Sequence, residues 1–341
     1  MMDIHIRKDG CAGRITLHRP KTLNALTYQM CLDIEAALDA WRDDDAVQLV
    51  IIDAEGEKAF CAGGDIQDLY DASVAGDFAY GQTFWRDEYR LNAKIFNYPK
   101  PYVALMQGFV MGGGVGVSCH GSHRVVCESS QIAMPECGIG LIPDVGGSLM
   151  LARAPGRLGE YLGTTGARMD AGNAIYAGFA DSYVPIEKWN ALTAALVNGG
   201  DVSVVDGFVQ DAPEPSMIAI QGDVDRHFDA VDLNEVAVSL ASDPSEFAAQ
   251  TLKMISKKSP LSVAATPALI ARVRAADTIE QALAEEYKFT YRAAQFGDFI
   301  EGIKATIIDR THTPNWRFAT LVDVSQSDVN EMLAPLGANA L

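Results

Sequence analysis

Residues 101–120 read PYVALMQGFVMGGGVGVSCH. The opening PYVALMQG (101–108) is an apolar run of strand length. Glycines 112, 113 and 114 then separate it from an apolar segment that suits a helix ending near His120. Strand, glycine turn and helix in that order form the unit from which α/β folds are built. Further out, VQLVIIDAEG (47–56) and HRVVCE (123–128) are apolar runs of the kind that fill a sheet covered on both faces. GRITLHRP (13–20) alternates and stops at proline. Thr27 is placed to cap a helix reaching about Trp41, with Met30, Ile34, Ala37, Leu38 and Trp41 close to helical spacing.

The character changes after about Pro185. WNALTAALVN (189–198), EFAAQTLKMI (246–255) and TIEQALAEEYKFTYRAAQ (278–295) carry helical patterns, and the Asp-, Pro- and Ser-rich stretch at 211–216 reads as a loop. The sequence therefore implies an α/β core over residues 1–185, a mainly helical region over 186–325 and a frayed tail over 326–341.

The 341 residues are 48% hydrophobic and 21% charged, an ordinary balance for a globular chain with a sizeable core. A net charge of −18 argues against a nucleic-acid surface, yet a few local cations and helix N-termini suffice to hold an anionic ligand. No apolar run reaches the length of a membrane span, so no membrane partner is expected. MMDIHIRKDG at the N-terminus has neither an apolar signal core nor the look of a transit peptide, and a cytoplasmic protein is expected. Cysteines stand singly at 11, 31, 61, 119, 127 and 137 and read as reduced packing residues. His5, His18, His123, His227 and His312 read as isolated, in packing or surface roles, and no metal is expected.

Three segments concentrate the residue types that chemistry needs. In MGGGVG (111–116) an N–H at the start of a helix can point outward as half of an oxyanion hole; close packing of helix on strand accounts equally for the small residues. CAGGD (61–65) offers a second N–H, that of Gly64, just before a helix that Asp65 can cap; a plain capped turn is the alternative. QIAMPECGIGLIPDVGG (131–147) places Glu136 after Pro135 and Asp144 after Pro143, both flanked by apolar residues. Buried acids so placed shift their pKa upward and split if close together.

Together these segments resemble the enoyl-CoA hydratase/isomerase, or crotonase, superfamily. The likeness runs through LHRPKTLNALTYQM (17–30), AFCAGGDI (59–66), KPYVALMQGFVMGGGVG (100–116) and MPECGIGLIPDVGG (134–147), in that order. It implies an α/β fold with a crotonase-like ββα spiral core, a mainly helical C-terminal region and acyl-CoA thioester substrates. The implied oxyanion donors are the N–H groups of Gly64 and Gly113, with Ala62, Asp65, Gly112 and Gly116 against the substrate. Hydratases of the family carry a glutamate where this chain has Gly116, and usually a glycine where it has Asp144. The combination of Gly116, Glu136 and Asp144 looks like the branch that hydrolyses 3-hydroxyisobutyryl-CoA in valine breakdown. KKSPLS (257–262), EEY (285–287) and DFIEGIKATIIDRTHTPNW (298–316) match that branch as well.

The resemblance implies thioester hydrolysis, with Glu136 acting as nucleophile or as general base and Asp144 placing the substrate hydroxyl or the water. No separate cofactor is implied, since coenzyme A is part of the substrate. Arg19, Lys21, Lys304 and Arg310 are candidates to meet its phosphates. A homo-oligomer is possible, because the family core commonly forms trimers or their multiples. Two rival expectations stand beside hydrolysis: hydration or isomerisation of another acyl-CoA, and a non-catalytic acyl-CoA-binding protein.

Overall fold

Two sheets organise the computed structural model, which describes residues 3–230 and 232–341. The strands are β1 (Ile4–Asp9), β2 (Ala12–Leu17), β3 (Leu49–Ala54), β4 (Ala59–Cys61), β5 (Tyr102–Met106), β6 (Phe109–Met111), β7 (His123–Val126), β8 (Gln131–Ala133) and β9 (Ser182–Tyr183). The larger sheet runs β1-β2-β3-β5-β7-β9, parallel except for the β1–β2 hairpin, and the smaller runs β4-β6-β8, all parallel. Successive pairs β3/β4, β5/β6 and β7/β8 thus send one strand to each sheet. That alternation is the ββ part of the expected spiral.

The quoted stretch 101–120 shows how the alternation is made. It holds two strands where one was expected, because Gln107 and Gly108 break the run. Gly108 has φ +57°, and a Cβ there would lie 2.2 Å from the carbonyl oxygen of Lys58, so only glycine fits the turn. The Gln107 amide donates to the carbonyls of Ala54 (2.8 Å) and Gly56 (2.9 Å), which fixes the switch from one sheet to the other. The helix Gly113–Ser118 follows β6 directly.

The chain folds into two units, each assembled from three stretches. The first comprises residues 3–65, 90–133 and 168–215 and contains both sheets. Leu49, Ile51, Val103, Leu105 and Val125 alternate onto one face of the larger sheet. They pack with Trp189, Leu192, Leu196 and Val197 of the helix Trp189–Gly199. Burying each leucine contributes about 1.5–3 kcal/mol. Against the opposite face lies the helix Tyr28–Arg42, capped by Thr27 as expected. Its Trp41 ring fills the space where a Cβ on Gly13 would stand, 2.4 Å away.

The second unit comprises Ile66–Tyr89, Met134–Ala167 and Ser216–Leu341, and is helical. Its central element is Pro260–Val273, started by proline at the first helical position and by Ser259, whose hydroxyl accepts from the Ser262 N–H at 3.1 Å. The segments Gly147–Arg153, Leu158–Thr165 and Ile279–Phe296 pack around it. The expectation of a frayed end from residue 326 is corrected here: Gln326–Met332 is a helix. Ser325 and Asp328 form a capping box, and Val329, Met332 and Leu333 are buried at helical spacing.

Candidate active site

In the first unit the two glycine turns leave neighbouring parallel strands. β4 runs into Ala62-Gly63-Gly64-Asp65, and β6, hydrogen-bonded beside it, runs into Gly112. Both turns therefore emerge at the same edge of the small sheet. A Cβ on Gly114 would lie 2.3 Å from the Cys61 carbonyl oxygen, so the close approach of turn and helix depends on its absence. Gly112 adopts φ +48° and ψ −120°, and the first helical bond runs from the Gly116 N–H to the Gly112 carbonyl at 3.1 Å. The Gly113 N–H falls ahead of that ladder, at the positive end of the helix.

The turn at Gly64 is pinned by the backbone of Leu26. The Leu26 N–H donates to the Gly63 carbonyl (2.9 Å) and the Asp65 N–H to the Leu26 carbonyl (2.8 Å), which leaves the Gly64 N–H outside the bridge. Ala62 is held similarly, donating to the Leu23 carbonyl at 3.0 Å. Asp65 does not cap the next helix, whose N-cap is Ile66. Its carboxylate instead pairs with Arg19 at 2.8 Å, and Arg19 also donates to the Ala25 carbonyl at 2.6 Å. These two charged residues brace the turn. Gly116 is buried within its helix and contributes no side chain.

Both acids belong to the second unit. Three residues beyond β8, Glu136 opens the 3-10 turn Glu136–Ile139 and is only 4% exposed. Its Oε2 is buried without a hydrogen-bond partner among the described residues. The turn is gripped from the C-terminal part of the chain. A Cβ on Gly302 would meet the Ile139 carbonyl carbon at 2.3 Å, and one on Gly140 would meet the Asp298 carbonyl carbon at 2.4 Å. The Ser259 N–H donates to the Cys137 carbonyl at 3.0 Å, and the Ser259 hydroxyl to Asp298 at 2.6 Å.

Asp144, also 4% exposed, accepts from the Tyr89 hydroxyl at 2.7 Å. Two more carboxyl groups lie in the same interior, on Glu88 and Glu286. Burial pushes all four upward, and repulsion from Asp144 adds to it at the other three. Asp144 is raised to about 7 by desolvation, against the lowering effect of the Tyr89 hydroxyl. Glu286 reaches about 8 by burial, opposed by donors from Ser148 and Gly146. Glu136 and Glu88 are held well above the usual carboxylate range, first by desolvation and next by Asp144. Lys258 opposes the effect at Glu136.

A raised pKa in the folded state carries a definite sign for stability. The contribution of Asp144 is full below its ordinary value of 3.8 and is lost as pH rises through about 7. That loss amounts to at most roughly 4 kcal/mol. Thermal melts should therefore show Asp144→Asn gaining on the wild type between pH 4 and 8; parallel pH dependences of the two proteins would refute the shift.

Glu88, Tyr89 and Glu286 were not picked out in the sequence. Signals existed: Glu88 falls at helical spacing with Phe84, Leu91 and Ile95 in the helix Phe78–Phe96, so it sits in a buried stripe. Glu286 lies within the EEY motif. Of the four cations considered for phosphates, Lys21 borders a cavity of about 480 Å³ together with Lys58. Lys304 is half-buried at the start of the turn Lys304–Ile308, and Arg310 is exposed.

The histidines are not isolated, a second correction. The His5 and His18 rings pack at 4.3 Å, His18 pairs with Glu55 at 2.6 Å, His227 with Asp243 at 3.0 Å and His312 with Glu301 at 2.6 Å. The ligand atoms of His5, His18 and Glu55 lie within 4.8 Å of one another. The six cysteines form no disulfide among the described residues, and all but Cys11 are buried.

The family model described as "Enoyl-CoA hydratase/isomerase" matches residues 12–333. The chain belongs to the enoyl-CoA hydratase/isomerase family. It is similar to the mitochondrial 3-hydroxyisobutyryl-CoA hydrolase of Rattus norvegicus, with 39% identity over 99% of this chain and 90% of that protein. Among solved structures it resembles an enoyl-CoA hydratase from Rhodobacter sphaeroides 2.4.1, at 52% identity and a TM-score of 0.96, covering 100% of this chain and 99% of that one. A carnitinyl-CoA dehydratase from Mycobacterium thermoresistibile is similar at 38% identity and a TM-score of 0.93, over 98% and 97% of the two chains. The expected crotonase-like fold with a helical C-terminal region is thus the fold of this family member. The names of these relatives divide between thioester hydrolysis and the addition or loss of water.

Proposed function

We propose that this enzyme hydrolyses the thioester of a short 3-hydroxyacyl-CoA, and that 3-hydroxyisobutyryl-CoA is its substrate, as in valine breakdown. The observation that carries the reading is the buried, unpartnered Oε2 of Glu136. A buried polar atom left without a partner is costly, and reacting groups are where such a cost is accepted. The thioester oxygen is taken up by the N–H groups of Gly64 and Gly113, where negative charge grows as the carbonyl carbon is attacked. Either Glu136 attacks the thioester carbon and the C–S bond breaks, releasing the CoA thiolate and leaving a mixed anhydride that water then cleaves, or it removes a proton from a water that attacks that carbon and displaces the thiolate. Asp144 holds the 3-hydroxyl or the water. Single-turnover hydrolysis in oxygen-18 water tests the covalent route, because label enters Glu136 only when water cleaves the anhydride at the Glu136 carbonyl.

Gly116 favours hydrolysis over hydration. A hydratase of the two-glutamate kind needs a second carboxylate there, and the glycine has none to offer. The test is direct: the purified chain is incubated with 3-hydroxyisobutyryl-CoA while free thiol is followed. Thiol release supports the proposal. Its absence, with acyl-CoA bound or a double bond formed or hydrated, overturns it in favour of the binding-protein or hydratase/isomerase reading.

Assembly and compartment belong to the same proposal. A trimer, or a multiple of one, is checked by light scattering. Among the described residues no helix is long and apolar enough to cross a membrane. Cell fractionation tests the cytoplasmic placement, since the similar rat protein carries a mitochondrial name.

A further inference from the structure

Asp144 stands on a turn that an L-residue backbone disfavours. Val145 has φ +54° and Gly146 φ +78°, so two successive residues are left-handed and the first of them is β-branched. Such a conformation persists only where its surroundings hold it. The holding group is Glu286, fully buried on the helix Ile279–Phe296 and 140 residues from Gly146 in sequence. Its Oε2 accepts from the Gly146 N–H at 2.8 Å, and its Oε1 accepts from the Ser148 N–H at 3.0 Å and from the Ser148 hydroxyl. One carboxyl group thus closes over the turn with both oxygens. One helical turn further along, the Thr290 hydroxyl lies 3.3 Å from the Tyr89 hydroxyl that donates to Asp144. The Tyr287 ring packs edge-on against Tyr89 at 6.1 Å. Backbone and side chain of Asp144 are therefore both set from a single C-terminal helix.

We propose that Glu286 is a positioning residue for the reaction: it locks the turn 144–148 so that the Asp144 carboxylate keeps the orientation needed by the substrate hydroxyl or the attacking water. This role rests on the hydrolase reading. Only a carboxyl group of this length performs it. The two backbone N–H groups each take a separate oxygen, so glutamine must leave one of them facing its own NH2. Aspartate is shorter by one methylene.

The experiment uses the full chain, with thiol release from 3-hydroxyisobutyryl-CoA followed in the steady state and at enzyme excess, so that slow rates register. Glu286→Gln should lower kcat at least about tenfold with KM within about threefold, since a misplacement of ~1 Å can cost ~10²-fold. Ser148→Ala keeps both backbone bonds and should lower kcat by only about two- to fivefold. If Glu286 acts through Asp144, the double variant Glu286→Gln/Asp144→Asn is no slower than Asp144→Asn alone, even though its melting temperature is lower. A Glu286→Gln enzyme with wild-type kcat overturns the proposal, as does a loss that multiplies with that of Asp144→Asn. Should Glu286→Gln fail to fold, Glu286→Asp decides, and a wild-type kcat there overturns the proposal too. A wild type that releases no thiol refutes the hydrolase reading itself, an outcome distinct from an active wild type matched by an equally active Glu286→Gln.

Discussion

Glu136→Gln should abolish useful turnover, lowering kcat for thiol release by about 10²–10⁴ if the carboxylate is a general base. If the carboxylate is the nucleophile, the substitution removes the covalent route altogether and gives at least as large a loss. Glutamine keeps the shape of the side chain, so the 3-10 turn Glu136–Ile139, gripped through Gly140, Gly302 and Ser259, has no reason to move. The substitution also removes a carboxyl group that burial and Asp144 hold well above its usual range. Such a group stabilises the fold fully at low pH and loses that contribution as pH rises through its folded-state value. The variant should therefore melt no lower than the wild type near pH 8, while acyl-CoA still binds. This pairing of retained fold with lost rate separates chemistry from structural damage. A Glu136→Gln enzyme within tenfold of wild-type kcat would remove Glu136 from the reaction, and Asp144 would become the next carboxylate to test.

What the sequence revealed and what it hid divide along physical lines. Runs such as VQLVIIDAEG and HRVVCE are long enough for a pattern, and β3 and β7 lie within them. The strands β4, β6 and β8 have three residues each, too few for any periodicity, so the small sheet that aligns the glycine turns was not legible. Local chemistry was readable at the acids: proline before Glu136 and before Asp144, apolar flanks, and burial of both. Their partners were not. Tyr89, Glu286 and Thr290 come from 55 to 146 residues away, and only tertiary packing brings them to Asp144 and its turn. The end of the chain was misjudged for a related reason. Gln326–Met332 is a short helix whose buried face gains its stability from neighbours rather than from its own composition.

Gly114→Ala offers the sharpest geometric challenge to the glycine turns, because the added methyl has nowhere to go. Its Cβ would stand 2.3 Å from the Cys61 carbonyl oxygen and 2.9 Å from the Cys61 Cβ. The nearest of these neighbours is a backbone atom, so no rotamer change relieves the clash. Cys61 is the last residue of β4, and the Gly64 turn follows it directly. Relief therefore means moving the helix Gly113–Ser118 away from that turn by an appreciable fraction of an ångström. In the proposed reaction, the N–H groups of Gly64 and Gly113 would then no longer converge on one oxygen. Loss of one oxyanion donor costs about 10²–10³ in kcat, and that is the fall expected here. Overpacking should also cost about 1–3 kcal/mol of stability. Gly222→Ala is the matched control. It lies in the helix Gln221–His227 with nothing within 4 Å of the added Cβ, and should raise stability by up to about 1 kcal/mol without touching kcat. If Gly114→Ala loses stability yet keeps wild-type kcat, the glycines serve close packing alone, and the oxyanion reading of the two turns fails.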